Sequence, residues 1–222
     1  MRGLAAFDMD GTLLAKRTID VLANELDFKQ KLLQIDQASK GKYAYQISIE
    51  VARLLEDVSA SRVIDIFDQI EIRRGAQRLI NFLKKEKFLT AIISDSYTFL
   101  IQRLAKKLQI DEIWGNIVEI NEGRLTGKLI TQSCWRNNDP RCKRHSVCKL
   151  YAFESIANKH NIPMDKTIAF GDSSGDICML KHAKVAIVVV PRKINLQEYS
   201  DLVVEKNFEE SWNDIITLIS KI

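Results

Sequence analysis

The apolar positions of the chain follow two rhythms. Leu4, Ala5, Ala6 and Phe7 form a short unbroken apolar run that stops at Asp8, which predicts a strand buried on both faces with polar residues at its carboxyl end. From 18 to about 67 the spacing is helical, as in Ile19, Leu22, Ala23 and Leu26, then Ile47, Val51, Leu54 and Leu55, with Gly41 as the only glycine. That stretch predicts a small all-helical insert. After Arg74 the rhythm alternates. Gly75 precedes a helical face of Leu79, Ile80 and Leu83, an apolar run at 89–93 ends on Ser94-Asp95-Ser96, and Leu100, Ile101, Leu104 and Leu108 mark another helix. Residues 117–130 read as a β-hairpin turning at Asn121-Glu122-Gly123. A polar, cysteine-rich loop follows, then a helix over 149–161, a strand over 167–170, a helix over 175–182, a strand over 185–190 and a closing helix over 208–222.

Strand and helix in turn predict an α/β fold, a doubly wound and mostly parallel Rossmann-like sheet carrying a small helical cap domain. The expected division is 1–14 with 74–222 as the catalytic core and 15–73 as the cap. At 222 residues and 25.4 kDa the chain can bury a sizeable interior, and 46% hydrophobic with 28% charged residues excludes disordered and fibrous classes. The longest apolar run, 185–190, is strand-sized and far short of the roughly 20 residues that cross a bilayer. The first ten residues show no basic start followed by an apolar stretch and a small-residue cleavage site, and acidic residues come early, so a cytoplasmic protein with no membrane partner is expected. The net charge of +4 is spread along the chain and implies no nucleic-acid stripe. Anionic small molecules fit it better.

Asp8-Met9-Asp10-Gly11-Thr12 places two carboxylates one residue apart at a strand end. Residues two apart in extended chain point the same way, so the two anions share a pocket and repel unless a cation neutralises them; a hard ion with oxygen ligands, most simply Mg²⁺, does so. Alone, the pair fits a solvated acidic turn equally well. Gly171-Asp172-Ser173-Ser174-Gly175-Asp176 adds two carboxylates at a second strand-to-helix junction. These supply further metal ligands, although an acidic helix start is also ordinary capping. Ser94 and Asp95 at the end of a third strand, and Lys149 at the start of a helix, bring a hydroxyl, main-chain N–H groups and an ammonium, the donors that a phosphate needs.

This order of DxDGT, strand-end Ser, later Lys and GDxxxD resembles the haloacid dehalogenase superfamily of phosphatases over essentially the whole chain, and the helical insert resembles the cap of its phosphoserine-phosphatase-like branch. The resemblance implies a Mg²⁺-dependent hydrolase of a small soluble phosphate ester. Asp8 would be the nucleophile that forms an aspartyl-phosphate. Asp10 would be the acid and base. The Asp8 side chain, the Asp10 carbonyl and Asp172 would hold the metal, with Asp176 steadying its waters or Lys149. Ser94, Asp95 and Lys149 would grip the phosphoryl oxygens. A phosphotransferase passing the same phosphoryl group to another acceptor uses the same motifs, whereas a non-catalytic binding protein would be expected to have lost one of these carboxylates. Dehalogenation is disfavoured because those relatives lack the second aspartate.

Two positions depart from the phosphoserine-specific pattern. Arg17 stands where that branch carries an acidic residue for the substrate amine, and Val51 stands near its carboxylate-gripping arginine. An arginine repels an ammonium and attracts a second anion, so L-phosphoserine is not the expected substrate, although a solvated hinge residue is the plainer account of Arg17. Residues 93–99 and the cysteine-rich approach to Lys149 resemble, locally, phosphoethanolamine/phosphocholine phosphatases. Cys134, Cys142, His145 and Cys148 could ligate a structural Zn²⁺, form a disulfide or simply pack as thiols.

Overall fold

The computed structural model describes residues 1–130, 143–191 and 194–222. Its strands are β1 (Gly3–Phe7), β2 (Phe88–Tyr97), β3 (Glu112–Asn121), β4 (Arg124–Ile130), β5 (Thr167–Gly171), β6 (Val185–Val189) and β7 (Leu202–Val204). They form one sheet in the order β4-β3-β2-β1-β5-β6-β7. Neighbours pair in parallel except β3 and β4, which are the antiparallel hairpin. Chain order and space order diverge at β1, the central strand, whose neighbours are β2 on one side and β5 on the other. The carboxyl ends of strands at such a switch point face a crevice.

The short apolar runs are buried on both faces, as their composition requires. In β1, Ala5 and Phe7 enter one apolar cluster with Leu79, Leu100, Ile101 and Ile215, from the helices α5 (Ala76–Lys85), α6 (Thr98–Leu108) and α9 (Trp212–Ile219). Leu4 and Ala6 enter the opposite cluster with Phe153, Ile156 and Met179, from α7 (Lys149–Lys159) and α8 (Ile177–His182). Strand alternation therefore recruits helices to both sides of the sheet.

Between β1 and α5 lie α1 (Thr18–Glu25), α2 (Lys29–Gln37), α3 (Ala44–Arg53) and α4 (Ala60–Phe67). The near-continuous helical period of the sequence is thus cut into four pieces. The cuts fall beside Asp27, Gly41 and Asp57, each with positive φ, which no α-helix accommodates. Helices of eight to ten residues do not persist in water by propensity alone. Leu22, Leu32, Leu55, Val63 and Ile66 bury them in the same cluster as Phe7. The chain enters and leaves this segment side by side: Ala15 N–H donates to Glu71 O at 2.9 Å and Arg73 N–H to Leu13 O at 2.8 Å. The α3–α4 connection docks on the hairpin, with Asp57 N–H to Leu125 O at 2.8 Å and Ala60 N–H to Gly123 O at 2.8 Å.

The structure departs from the sequence pattern in two further places. Strand β2 runs through Ser94, Asp95 and Ser96 to Tyr97, with an irregular register against β3 after Ile93. Edge strand β7 is only three residues long, too short to leave a period. Among the described residues no helix is long and apolar enough to cross a membrane.

Candidate active site

Register decides which side chains meet. Phe7 pairs with Ile92 on β2 and with Phe170 on β5, so Asp8 after β1, Asp172 after β5 and Ser94, two residues beyond Ile92 within β2, emerge at one end of the sheet. Asp8 N–H donates to Phe170 O at 2.9 Å, which carries the β1–β5 ladder one step further. Beyond it Gly11 takes φ of +85°, the conformation that lets the chain turn back immediately after Asp10.

Asp8, Asp172 and Asp176 are all buried, and one carboxylate oxygen of each lies within 4.8 Å of the others. Lys149, 5% exposed, joins two of them, with Nζ at 2.7 Å from Asp8 Oδ1 and 2.5 Å from Asp176 Oδ1. The other oxygen of Asp176 accepts from Asp172 N–H at 3.1 Å, Ser173 N–H at 2.9 Å and the Ser173 hydroxyl at 3.0 Å. This folded-back carboxylate explains Gly171. A side chain there would sit 2.4 Å from the Asp176 Cβ.

Three carboxylates face one ammonium, and the imbalance is felt at Asp8. Burial pushes its carboxyl well above the ordinary range; Lys149 pulls it down, while Asp176 and Asp172 add to the rise. Burial opposes the Lys149 ammonium, but Asp176, Asp8 and Asp95 outweigh that and raise its pKa. An all-oxygen, anionic, buried donor set with excess negative charge suits a hard divalent cation.

Asp10 stands apart from this triad of carboxylates. Its Oδ1 accepts from Thr18 N–H at 2.8 Å and from the Thr18 hydroxyl at 2.5 Å, at the first residue of α1. Ser94 is 2% exposed, and its hydroxyl oxygen accepts from Ser96 N–H at 3.2 Å. The Asp95 carboxylate turns to the segment leading into α7, accepting from the Ser146 hydroxyl and Val147 N–H, each at 2.8 Å, with His145 Nδ1 at 3.5 Å. Burial pushes its carboxyl up, but His145, Lys149 and the Val147 N–H prevail and hold it down to about 2. What Asp95 can offer a phosphoryl group is main chain, since its side chain is an anion spent on holding the Lys149 approach. Arg17 is half-exposed, with Nη1 3.4 Å from Asp20 Oδ1.

A cavity of about 210 Å³ opens over these residues. It is lined by Asp8, Asp10, Ser94 and Lys149 on the sheet side and by Arg17, Asp36 and Val51 from the helical segment. Of the cysteine set, Cys134 and Cys142 lie outside the described residues, while His145 faces Asp95 and Cys148 precedes α7. The acidic triad is the sole group of potential metal ligands among the described residues.

The model of the haloacid dehalogenase-like hydrolase family matches residues 5–181, which span β1 to α8 and every residue of this cluster. The chain belongs to the haloacid dehalogenase-like hydrolases. Among similar proteins is a phosphoserine phosphatase of Idiomarina loihiensis, 32% identical over 92% of this chain and 89% of that one. Another, from Archaeoglobus fulgidus, is 29% identical over 89% of this chain. The chain spans 55% of the length of that relative. A solved structure of a phospho-aspartyl intermediate analogue of phosphoserine phosphatase superposes with a TM-score of 0.81 at 25% identity, covering 96% of this chain and 98% of that one.

Sequence patterning had no means of finding Arg73 in this hydrolase. It is 9% exposed and donates through Nη2 to Gly11 O at 2.6 Å, through Nε to Thr12 O at 2.8 Å and through Nη1 to Lys206 O at 2.8 Å. One guanidinium thus ties the turn after Asp10 to the segment that follows edge strand β7. A lysine has a single donor centre and cannot span these carbonyls. Arg73→Lys is therefore expected to lose on the order of 2 kcal/mol, about 4–8 °C in Tm, and to lower kcat about tenfold with KM little changed. Thermal melts and steady-state kinetics on the one variant check both.

Proposed function

We propose that this hydrolase is a Mg²⁺-dependent phosphomonoesterase of a small metabolite, working through an aspartyl-phosphate on Asp8. The observation that carries the reading is the Asp8 carboxylate itself, held 2.7 Å from Lys149 inside the acidic triad and facing the cavity. An Asp8 oxygen attacks phosphorus as the ester oxygen leaves, and the Asp10 carboxyl gives that oxygen its proton. Asp10, now a carboxylate, takes a proton from a water that attacks the same phosphorus, releasing phosphate and restoring Asp8. Ser94 and Lys149 donate to the phosphoryl oxygens, where charge gathers in both steps. Asp8 and Asp172, with the Asp10 carbonyl and with Asp176 behind, would hold Mg²⁺, which neutralises the charge between nucleophile and phosphate. The segment 15–73 serves as a cap that keeps bulk water from the cavity.

Hydrolysis of 4-nitrophenyl phosphate in Mg²⁺, lost in excess EDTA and regained on adding Mg²⁺, is the expected result. Absence of turnover under every divalent ion would sink the reading. Phosphoryl transfer to an acceptor other than water is the second reading on the same residues, and product analysis with added alcohols separates the two. Phosphoserine phosphatases make up the relatives above, yet the two positions at which this chain departs from their pattern, Arg17 and Val51, both line the cavity. This supports a substrate other than L-phosphoserine. Arg17→Glu is expected to raise kcat/KM for amine-bearing esters about tenfold relative to neutral ones, and an unchanged ranking would remove Arg17 from substrate choice.

A further inference from the structure

Asn116 is fully buried on β3, beside the place where β2 leaves its ladder. Ile93 pairs with Trp114 and Tyr97 with Asn116, so four residues of β2 advance against two of β3 and the segment 94–96 bulges out. Gly115 gives the bulge room, since a side chain there would meet Ile101 Cδ1 at 2.2 Å and Ser96 O at 3.0 Å. Where the ladder is interrupted, a side chain takes over from it: Asn116 Nδ2 donates to Asp95 O at 2.6 Å.

The peptide between Asp95 and Ser96 is therefore held at both ends. A trans peptide points its carbonyl and its N–H in opposite directions. Fixing Asp95 O against Asn116 aims Ser96 N–H away from β3 and onto the Ser94 hydroxyl oxygen, at 3.2 Å. That hydroxyl, once it accepts from Ser96, keeps its own proton to give. The other N–H of the amide leads to Lys149. Nδ2 donates to the Ser146 hydroxyl oxygen at 2.8 Å, Ser146 donates to Asp95 Oδ1 at 2.8 Å, and the same carboxylate oxygen accepts from Val147 N–H at 2.8 Å. Ser146 and Val147 are fully buried, and Lys149 opens α7 two residues later. Rotating the amide by 180° would set its oxygen against the Asp95 carbonyl, two acceptors face to face. Asn116 Oδ1 is instead enclosed without a hydrogen-bond partner. That is a cost in stability, of the kind carried where a side chain serves the reaction.

Resting on the phosphomonoesterase reading, we propose that Asn116 is a positioning residue that sets both donors to the phosphoryl group at once, Ser94 through the 95–96 peptide and Lys149 through Ser146. It acts on the reaction through these groups only, and neither Asn116 nor Ser146 bonds to Asp8 or Asp172. Its removal should therefore weaken the hold on phosphate and leave the hold on the metal.

The test is competitive inhibition of 4-nitrophenyl phosphate hydrolysis by inorganic phosphate, on the intact protein with Mg²⁺. Asn116→Leu, close in shape but without donors, is expected to raise the Ki of phosphate about tenfold and to lower kcat about 10²-fold. Ser146→Ala breaks one branch with the loss of a single oxygen; it should raise Ki about threefold, and it decides the matter alone if the leucine variant does not fold. The double variant should fall short of the product of the two single effects, because both interrupt one chain of hydrogen bonds. The Mg²⁺ concentration that gives half the metal-induced rise in Tm should stay within about twofold of the parent. A Ki unchanged in both variants, a Mg²⁺ midpoint that rises in step with Ki, or single effects that multiply fully would each overturn the proposal while leaving the phosphatase reading intact. A parent protein that hydrolyses no ester under any divalent ion would instead overturn that reading, and this one with it.

Discussion

Asp8→Asn is expected to reduce hydrolysis of any phosphate ester by on the order of 10⁴-fold or more, the scale on which removal of a nucleophile acts. An amide oxygen is a poor nucleophile towards phosphorus, and nothing beside it can substitute, because Asp172 and Asp176 occupy the same triad from behind and Asp176 is spent on Lys149 and the 172–173 main chain. Stability should respond oppositely. The Asp8 carboxyl is pushed well above its ordinary range by burial before any neighbour is counted, so in metal-free buffer the neutral amide relieves a strained charge and Tm should hold or rise. Lys149 keeps Asp176 as a partner at 2.5 Å. The rise in Tm that Mg²⁺ gives the parent protein should shrink in the variant, because one ligand has gone. Retention of more than about 1% of parental turnover would end the covalent reading; a large loss of Tm without metal would show the Asp8–Lys149 pair to be structural.

Much of this site is written in short range. Asp8, Ser94 and Asp172 each terminate an apolar run, and a parallel sheet brings run-ends together, so period and motif sufficed to place them at one edge. The Asp176 position follows from its spacing to Gly171, which must be bare for the carboxylate to fold back. What escaped the sequence depends on contacts across the fold. The helical period of 18–67 gives no sign of the positive-φ breaks at Asp27 and Asp57, which are aspartates indistinguishable locally from surface residues. Arg73 reads as a charge between helices, and only the return of the chain beside Leu13 turns it into the clamp on Gly11 and Thr12. Asn116 lies in β3 just before the stretch read as a hairpin, and its amide is held by Asp95 and Ser146, 21 and 30 residues away. The Asp95 side chain serves the 145–147 segment, a contact no local pattern shows, and leaves the main chain of Asp95 for the phosphoryl group it is expected to bind.

Lys149→Met should damage activity and fold together. The lysine stem passes through a fully enclosed space at the start of α7, and methionine has a similar length and fills it, so the variant removes charge with little loss of packing. It leaves Asp8, Asp172 and Asp176 within 4.8 Å of one another with no ammonium among them. Stripping one partner from a buried ionic cluster costs about 3–5 kcal/mol, and for a chain of this size that is a fall in Tm on the order of 10 °C in EDTA. Mg²⁺ changes the sign of the argument. A divalent cation in the triad supplies the missing positive charge, so the variant should recover more Tm on Mg²⁺ addition than the parent gains. Activity should not follow, because the proposed donor to the phosphoryl oxygens is still absent; kcat is expected to stay at least 10²-fold below the parent at saturating Mg²⁺. The two readouts therefore separate the charge that the lysine contributes to the fold from the hydrogen bonds it gives to the reaction. If Mg²⁺ restored turnover along with Tm, Lys149 would be a counter-ion only, and Ser94 with the main chain of 94–96 would have to carry the transferring group alone.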